Sequence, residues 1–358
     1  MKIGILTLPL HTNIGGILQA YALQTVLNSL GHDAYILDKS NYNKLTFRKA
    51  LKRIIKKYIF CKSTDDFQII SQNVKRFIDQ YIHRIDVYDY NKLQESDWDA
   101  LVVGSDQIWR REFSDHIQTV YFDFARDWKQ VKRIAYAPSF GLDKWDYSSQ
   151  ETVVCAQLIK KFDLVTVRES AAVTLCKEHL DIEAKHVLDP TMLLMAQDYQ
   201  ILVEKSGEPK SDGDMLVYLM DYAEQHYQLV DVASDSLHLK PFFVFSKVDR
   251  TDLPAEERIQ IPIECWLRGF MDAKFVITDS FHACAFSIIF NVPFVVLKND
   301  SGGMSRIRSL LSQFGLEDRL VEDAKSISQL KPIDWSRVNQ IRNIHKSEAL
   351  SMLSEVLQ

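Results

Sequence analysis

Runs of core-type residues alternate along the chain with polar loops and with longer segments whose apolar positions recur at helical spacing. Residues 2–8, "KIGILTL", read as a buried strand, "PLHTNIGG" as a loop, and "ILQAYALQTVLNSLG" as a helix that stops at Gly31. "DAYILD" reads as a second strand. Further strands are predicted at "DALVVGS" (99–105), "RIAYAPSFG" (133–141), "LVTVRE" (164–169) and "KHVLDPT" (185–191), with helical stretches between them. Continuously apolar strands separated by helices predict a parallel sheet covered on both faces.

After the polar, glycine-containing stretch "EKSGEPKSDGD" (204–214) the alternation resumes with "MLVYLM", "PFFVFS", "KFVITDS" and "PFVVLKN". That stretch is the predicted boundary between an α/β domain at 1–205 and a second at 206–358, with the last helix packing back on the first. At 358 residues the chain is also too long for one typical domain. Two Rossmann-like halves with parallel sheets facing across a cleft make the GT-B layout of many glycosyltransferases.

A net charge of −5 argues against a protein built to neutralise nucleic-acid phosphate. Cysteines 61, 155, 176, 265 and 284 form no C-x-x-C pair and no zinc spacing, as expected for reduced thiols in a cytoplasmic protein without a structural metal. The first residues lack a clear signal-peptidase site, and the apolar run 277–300 is interrupted by Asp279, His282, Asn291 and Pro293, so neither secretion nor a membrane span is predicted. In "FRKALKRIIKKYIF" (47–60) one helical face carries Phe47, Leu51, Ile54, Ile55, Tyr58 and Ile59, and the other carries six Lys and Arg residues. Such a helix suits either a solvated surface or an anionic membrane surface where a lipid-linked acceptor waits.

Parallel sheets bind ligands beyond the carboxyl ends of their strands. Polar residues fall at several such ends: Ser105, Asp106, Gln107 and Trp109; Arg168 and Glu169; Asp189 and Thr191; Thr278, Asp279, Ser280 and His282. Plainer roles compete for some of them. Asp189 before Pro190 reads as a turn or cap residue, Arg168 and Glu169 as an exposed ion pair at a helix start, and Asp279 and Ser280 as caps of the helix "FHACAFSIIF". His282, in the first turn of that helix, reads as functional.

The motifs "NIGGILQAYALQ" (13–24), "VVGSDQIW" (102–109), "AYAPSFG" (135–141), "VRES" (167–170), "VLDPT" (187–191), "ITDSFHACAFSIIFNVPFVVL" (277–297) and "GGMSRIRSLLSQFGLEDR" (302–319) resemble, in order, those of the polysaccharide pyruvyl transferase family. The resemblance implies a GT-B-like fold, with the acceptor on the first domain and the donor on the second. It also implies transfer of a pyruvyl group from phosphoenolpyruvate, as donor substrate and without a further cofactor, to a sugar or lipid-linked glycan of a cell-surface or capsular polysaccharide.

That chemistry needs cationic or N–H groups for phosphate and carboxylate, an acid for the methylene carbon and a base for the sugar hydroxyl. Arg168, Arg306 and the helix start at Ser280–His282 are expected at the donor. His282 is the candidate acid or phosphate ligand. Asp106 is the candidate base or sugar-holding group, and Asn13, Gln19, Gln107 and Trp109 join it on the acceptor side. Many members carry Arg two residues before the histidine, where this chain has Ser280. Arg306, Lys247 or Arg110 then compensates, or the donor differs. A GT-B glycosyltransferase using a nucleotide sugar and a non-catalytic glycan-binding relative are the competing readings.

Overall fold

The computed structural model describes residues 1–39, 64–220, 224–248, 250–298, 303–321, 327 and 330–358. The basic segment 47–60 lies outside the described residues. Its chain builds two fully parallel sheets. In the first, β1 (Lys2–Leu6), β2 (Asp33–Asp38), β3 (Arg84–Asp86), β4 (Ala100–Val103), β5 (Lys132–Ala135), β6 (Leu164–Val167) and β7 (Lys185–His186) take the order β3-β2-β1-β4-β5-β6-β7. In the second, β8 (Met215–Tyr218), β9 (Pro241–Phe243), β10 (Phe275–Thr278), β11 (Phe294–Leu297) and β12 (Leu320–Val321) take the order β12-β11-β10-β8-β9.

The strand order reverses direction at β1/β4 in one sheet and at β8/β10 in the other, and ligand crevices of open α/β sheets form at such points. Four-residue strands such as "ALVV" and "FVIT" are buried throughout, as expected of strands with helices on both faces. The strand predicted at 133–141 ends at Ala135, because the chain turns through a left-handed Ala137 (φ 51°). The pairing at 185–191 is confined to Lys185–His186, and a 3₁₀ turn follows at Pro190–Leu193.

The first helix spans Ile14–Ser29, so Gly15 and Gly16 belong to its first turn instead of the preceding loop. The helix Phe281–Phe290 is buried at every residue but its last, the state demanded of a helix that is apolar all round. It lies inside one continuous core that includes Ile3 and Ile5 of β1 as well as Val276 of β10.

Within that core Phe286, wholly buried, meets the rings of Tyr199, Trp266 and Phe270 at 4.8, 4.9 and 5.8 Å. Polar ties join the halves as well. Gln260 Nε2 donates to Thr12 O at 2.8 Å, and Ser170 N–H donates to Ser309 Oγ at 2.9 Å. The last helix, Trp335–Val356, reaches the first sheet, where Lys132 Nζ donates to Val356 O at 2.6 Å. Among the described residues no helix is long and apolar enough to cross a membrane.

Because Phe286 packs on partners from both sides of the shared core, Phe286→Ala is expected to cost about 3–5 kcal/mol. Urea unfolding followed by tryptophan fluorescence measures this, and a loss under about 1 kcal/mol would mean that the two halves do not depend on this contact.

Candidate active site

The carboxyl end of β4 leads straight into a network that fixes Asp106. A Cβ on Gly104 (φ 131°) would lie 2.0 Å from Tyr136 O, so only glycine fits there. Ser105 N–H donates to Gln19 Oε1 at 2.8 Å, and Gln19 Nε2 donates to Thr7 Oγ1 at 2.9 Å, which ties β4 to the exit of β1. Gln19 is wholly buried in this role, so the expected acceptor contact gives way to a structural tie. Asp106 itself is left-handed (φ 60°), held by Ser139 N–H donating to Asp106 O at 2.8 Å.

Arg168, at the exit of β6, bridges two carboxylates. Its Nη2 donates to Asp106 Oδ1 and its Nη1 to Asp189 Oδ2, both at 2.9 Å, and the three side chains are at most 3% exposed. The Phe281 ring of the second half covers the guanidinium at 4.4 Å. Burial works against the Arg168 charge, but Asp106 and Asp189 outweigh it and raise its pKa. Burial likewise opposes ionisation of Asp106, yet Arg168, His282 and Arg306 hold its pKa below the usual carboxylate range. The exposed ion pair weighed for Arg168 and Glu169 is therefore replaced by a buried bridge, and Arg168 has its fork engaged by protein instead of standing open to a phosphate. Asp189 does cap its turn, accepting from Thr191 N–H at 3.0 Å, but its other oxygen belongs to the bridge. Sequence reasoning left Asp189 among turn residues because the Asp-Pro signal is local and its partner is on another strand.

His282 enters from the second half. Its Nε2 stands 3.8 Å from Asp189 Oδ2, beyond hydrogen-bond reach, and has no hydrogen-bond partner among the described residues. The ring rests on the first turn of the Ile14–Ser29 helix: a Cβ on Gly15 would lie 2.1 Å from His282 Nδ1. Burial, with Arg168 and Arg306, lowers the His282 pKa against the opposing pull of Asp189 and Asp106, which leaves a neutral imidazole at rest.

Asn13 caps the same helix, accepting from Gly16 N–H at 3.1 Å. Ser280 occupies the N-cap of the His282 helix, but its side chain makes no capping bond. Its neighbour Asp279 accepts from Met220 N–H at 2.6 Å across the β8/β10 switch.

Arg306 lies in the first turn of the helix Met304–Phe314, folded over Gly303 (φ 103°), where a Cβ would meet Nη2 at 2.3 Å. Half-buried, its side chain makes no ion pair or hydrogen bond among the described residues, and Nε is enclosed without a partner. Burial and the nearby Arg168 push its pKa down to about 10, so it remains a cation at neutral pH.

Gln107 is half-buried and accepts from Arg110 Nη1 at 3.0 Å, while Arg110 also pairs with Glu112. Trp109 is wholly enclosed, stacked on Tyr121 at 5.0 Å, so its ring face is not offered to a sugar as expected. Asp106, Arg168, Asp189, His282 and Arg306 thus form one group of ionisable side chains at the strand ends, with Asn13 and Ser280 at helix starts beside it.

The family model described as Polysaccharide pyruvyl transferase matches residues 13–301, most of the chain. The chain belongs to the polysaccharide pyruvyl transferase family. In this pyruvyl transferase family chain, Asn13, Asp106, Arg168, Asp189, Ser280 and His282 fall within the match, and Arg306 lies just past its end.

A UDP-glucosyltransferase from Polygonum tinctorium has a similar fold, with a TM-score of 0.50 at 9% identity over 99% of this chain and 98% of that one. UDP-GlcNAc 2-epimerases from Neisseria meningitidis (TM-score 0.49, 9% identity, 100% and 99% coverage) and Methanocaldococcus jannaschii (TM-score 0.48, 13% identity, 97% and 93% coverage) are also similar. The fold is GT-B-like, α/β with two parallel sheets, as the sequence predicts. No curated protein matches the chain significantly.

Removing Arg168 leaves two carboxylates buried without their cation. Arg168→Met is expected to lower stability by about 3–5 kcal/mol, whereas Arg306→Met, which breaks no pair, should stay within about 0.5–1 kcal/mol. Parallel urea titrations at pH 7 compare the two, and equal losses would mean that the buried bridge does not distinguish Arg168 from an arginine without an ion pair.

Proposed function

We propose that this chain transfers a pyruvyl group from phosphoenolpyruvate to a sugar of a cell-surface or capsular polysaccharide precursor, forming a ketal across two hydroxyls. The observation that carries the reading is Arg306, a cation with no partner among the described residues, beside the His282 Nε2, likewise without a hydrogen bond among them, and two helix starts, next to carboxylates on the opposite half. Unpaired donors and helix N-termini facing one crevice suit a small, highly charged anion.

In this reading Arg306 and the N-terminus of the Phe281–Phe290 helix hold the donor's phosphate and carboxylate. Arg168 positions the two aspartates instead of binding the donor. Asp106, kept ionised, accepts the proton of the attacking hydroxyl. His282 protonates the methylene carbon, which becomes a methyl group, as the hydroxyl oxygen bonds to C2. The second hydroxyl then closes on C2 and inorganic phosphate leaves, taking up the remaining proton. The donor loses its enol double bond and its C–O–P link, the acceptor gains two C–O bonds, and no redox change occurs.

Neutral at rest, His282 must gain its proton when the anion arrives. A phosphate dianion beside the ring raises its pKa, so donor binding should take up protons between the free-state and bound-state pKa values, and affinity should fall as pH rises through the bound-state value.

Calorimetry of phosphoenolpyruvate binding in two buffers of different ionisation enthalpy is expected to show this uptake near pH 7 and its disappearance in His282→Gln. Thermal shift should rise with phosphoenolpyruvate, and Arg306→Ala should weaken binding by about tenfold or more. An acceptor incubated with both should gain the mass of phosphoenolpyruvate less phosphoric acid. A shift with nucleotide sugars alone would overturn the reading in favour of glycosyl transfer.

A further inference from the structure

Glu169 follows Arg168 directly but makes no ion pair with it. It is wholly buried, and its Oε1 accepts from Ser139 Oγ at 2.9 Å and from Phe140 N–H at 3.1 Å. Ser139 Oγ in turn accepts from Gly141 N–H at 2.9 Å. Through its backbone Ser139 grips the β4 exit: its N–H donates to Asp106 O at 2.8 Å, and its O accepts from Trp109 N–H at 3.3 Å. Asp106 also bridges to Pro138 in parallel fashion. Asp106 is one of two non-glycine residues with a left-handed backbone at these strand ends, the other being Ala137, so its conformation persists only while the surroundings hold it. A carboxyl group in no ion pair among the described residues, spending one oxygen on two loop donors, is placed as an anchor for the turn that aims Asp106.

We infer that Glu169 is a positioning residue of the active site, which through Ser139 fixes the backbone of Asp106 and so the direction in which the Asp106 carboxylate faces His282 and the acceptor.

Two further observations fit this role. The remaining oxygen, Oε2, is enclosed without a partner among the described residues, and burial raises the Glu169 pKa against the pull of Arg168, Ser139 and Arg306. The anchoring lies in the two hydrogen bonds that Oε1 accepts, a role a glutamine amide reproduces through its carbonyl oxygen. Nothing in the geometry requires its charge.

The test compares Glu169→Ala, Glu169→Gln and, as a milder cut of the same tether, Ser139→Ala. The first readout does not depend on the reaction. The groups acting on the His282 ring are Asp189, Asp106, Arg168 and Arg306, and Asp106 is one of the two that raise its pKa. Histidine-selective NMR titration, with the His282 signal assigned by its loss in His282→Gln, is expected to show that ring titrating at lower pH in Glu169→Ala and Ser139→Ala, and at the native pH in Glu169→Gln.

The second readout rests on the pyruvyl-transfer reading. The alanine variants should lose about tenfold or more in kcat with donor Kd within about threefold, and Glu169→Gln should recover to within about threefold of native. Alanine variants that leave both the His282 titration and turnover at native values would overturn the inference, as would a glutamine variant that behaves like alanine in both. If Glu169→Ala does not fold, Ser139→Ala and Glu169→Gln decide by the same criteria. Absence of any turnover in the native protein would count against the reaction and leave the titration to judge the positioning.

Discussion

Arg168 between Asp106 and Asp189 is the constraint around which the site is built. One guanidinium at the exit of β6 bridges two carboxylates delivered by the ends of β4 and the short β7, in a place closed to water. The group carries two negative charges and one positive, so the first half of the molecule presents a buried excess of one negative charge. Opposite charges a few ångströms apart interact by about 4 kcal/mol at an effective dielectric near 20, enough to matter against a total stability of about 5–15 kcal/mol. The second half brings the cation that offsets it, Arg306, together with the Phe281 face over the guanidinium and His282 near Asp189. The electrostatics of the cleft are therefore completed only when the two halves meet.

That dependence explains the tight fit at Gly15. The first helix and the His282 helix approach until the imidazole occupies the space a side chain would take, and any Cβ at position 15 would push the ring away from Asp189. The same logic applies at Gly303, which lets Arg306 fold back over its own helix start. Two glycines thus set the positions of the two nitrogen groups that the second half contributes, and the Gln19–Ser105 and Ser139–Asp106 hydrogen bonds set the carboxylate that meets them. Preorganisation of this kind is what an active site requires when charge must be met without rearrangement of solvent.

The sequence carried the fold further than the site. "FHACAFSIIF" stood out as a buried helix because it is apolar all round, and its observed span is Phe281–Phe290. The first helix begins earlier than expected because glycine's low helix propensity masks a contact made with a residue far along the chain. β3 and β12 escaped notice because "RID" and "LV" are too short to carry a period. Asp106, Arg168 and His282 were visible as polar residues at strand ends, but which groups they face depends on strand order, and that is not a local property. Trp109 shows the limit most plainly. An aromatic residue beside an aspartate suggests a sugar platform, while the stacking of Tyr121 on its face is invisible until the loop is folded.

Ser280 gains its meaning from this arrangement. With serine at position 280, where the family resemblance led to the expectation of arginine, and with the fork of Arg168 held by two aspartates, the one cation of the group without a partner among the described residues is Arg306. A trianionic donor brought against a single free arginine and a buried aspartate pair would be opposed by the site's own negative charge unless a second positive charge appeared. His282 is the group able to supply it, because its pKa is held down by burial and by two arginines and is released upward when an anion arrives. With serine at position 280, part of the electrostatic work of the proposed donor binding falls to a proton, so donor affinity should depend more strongly on pH in this chain than in a Ser280→Arg variant.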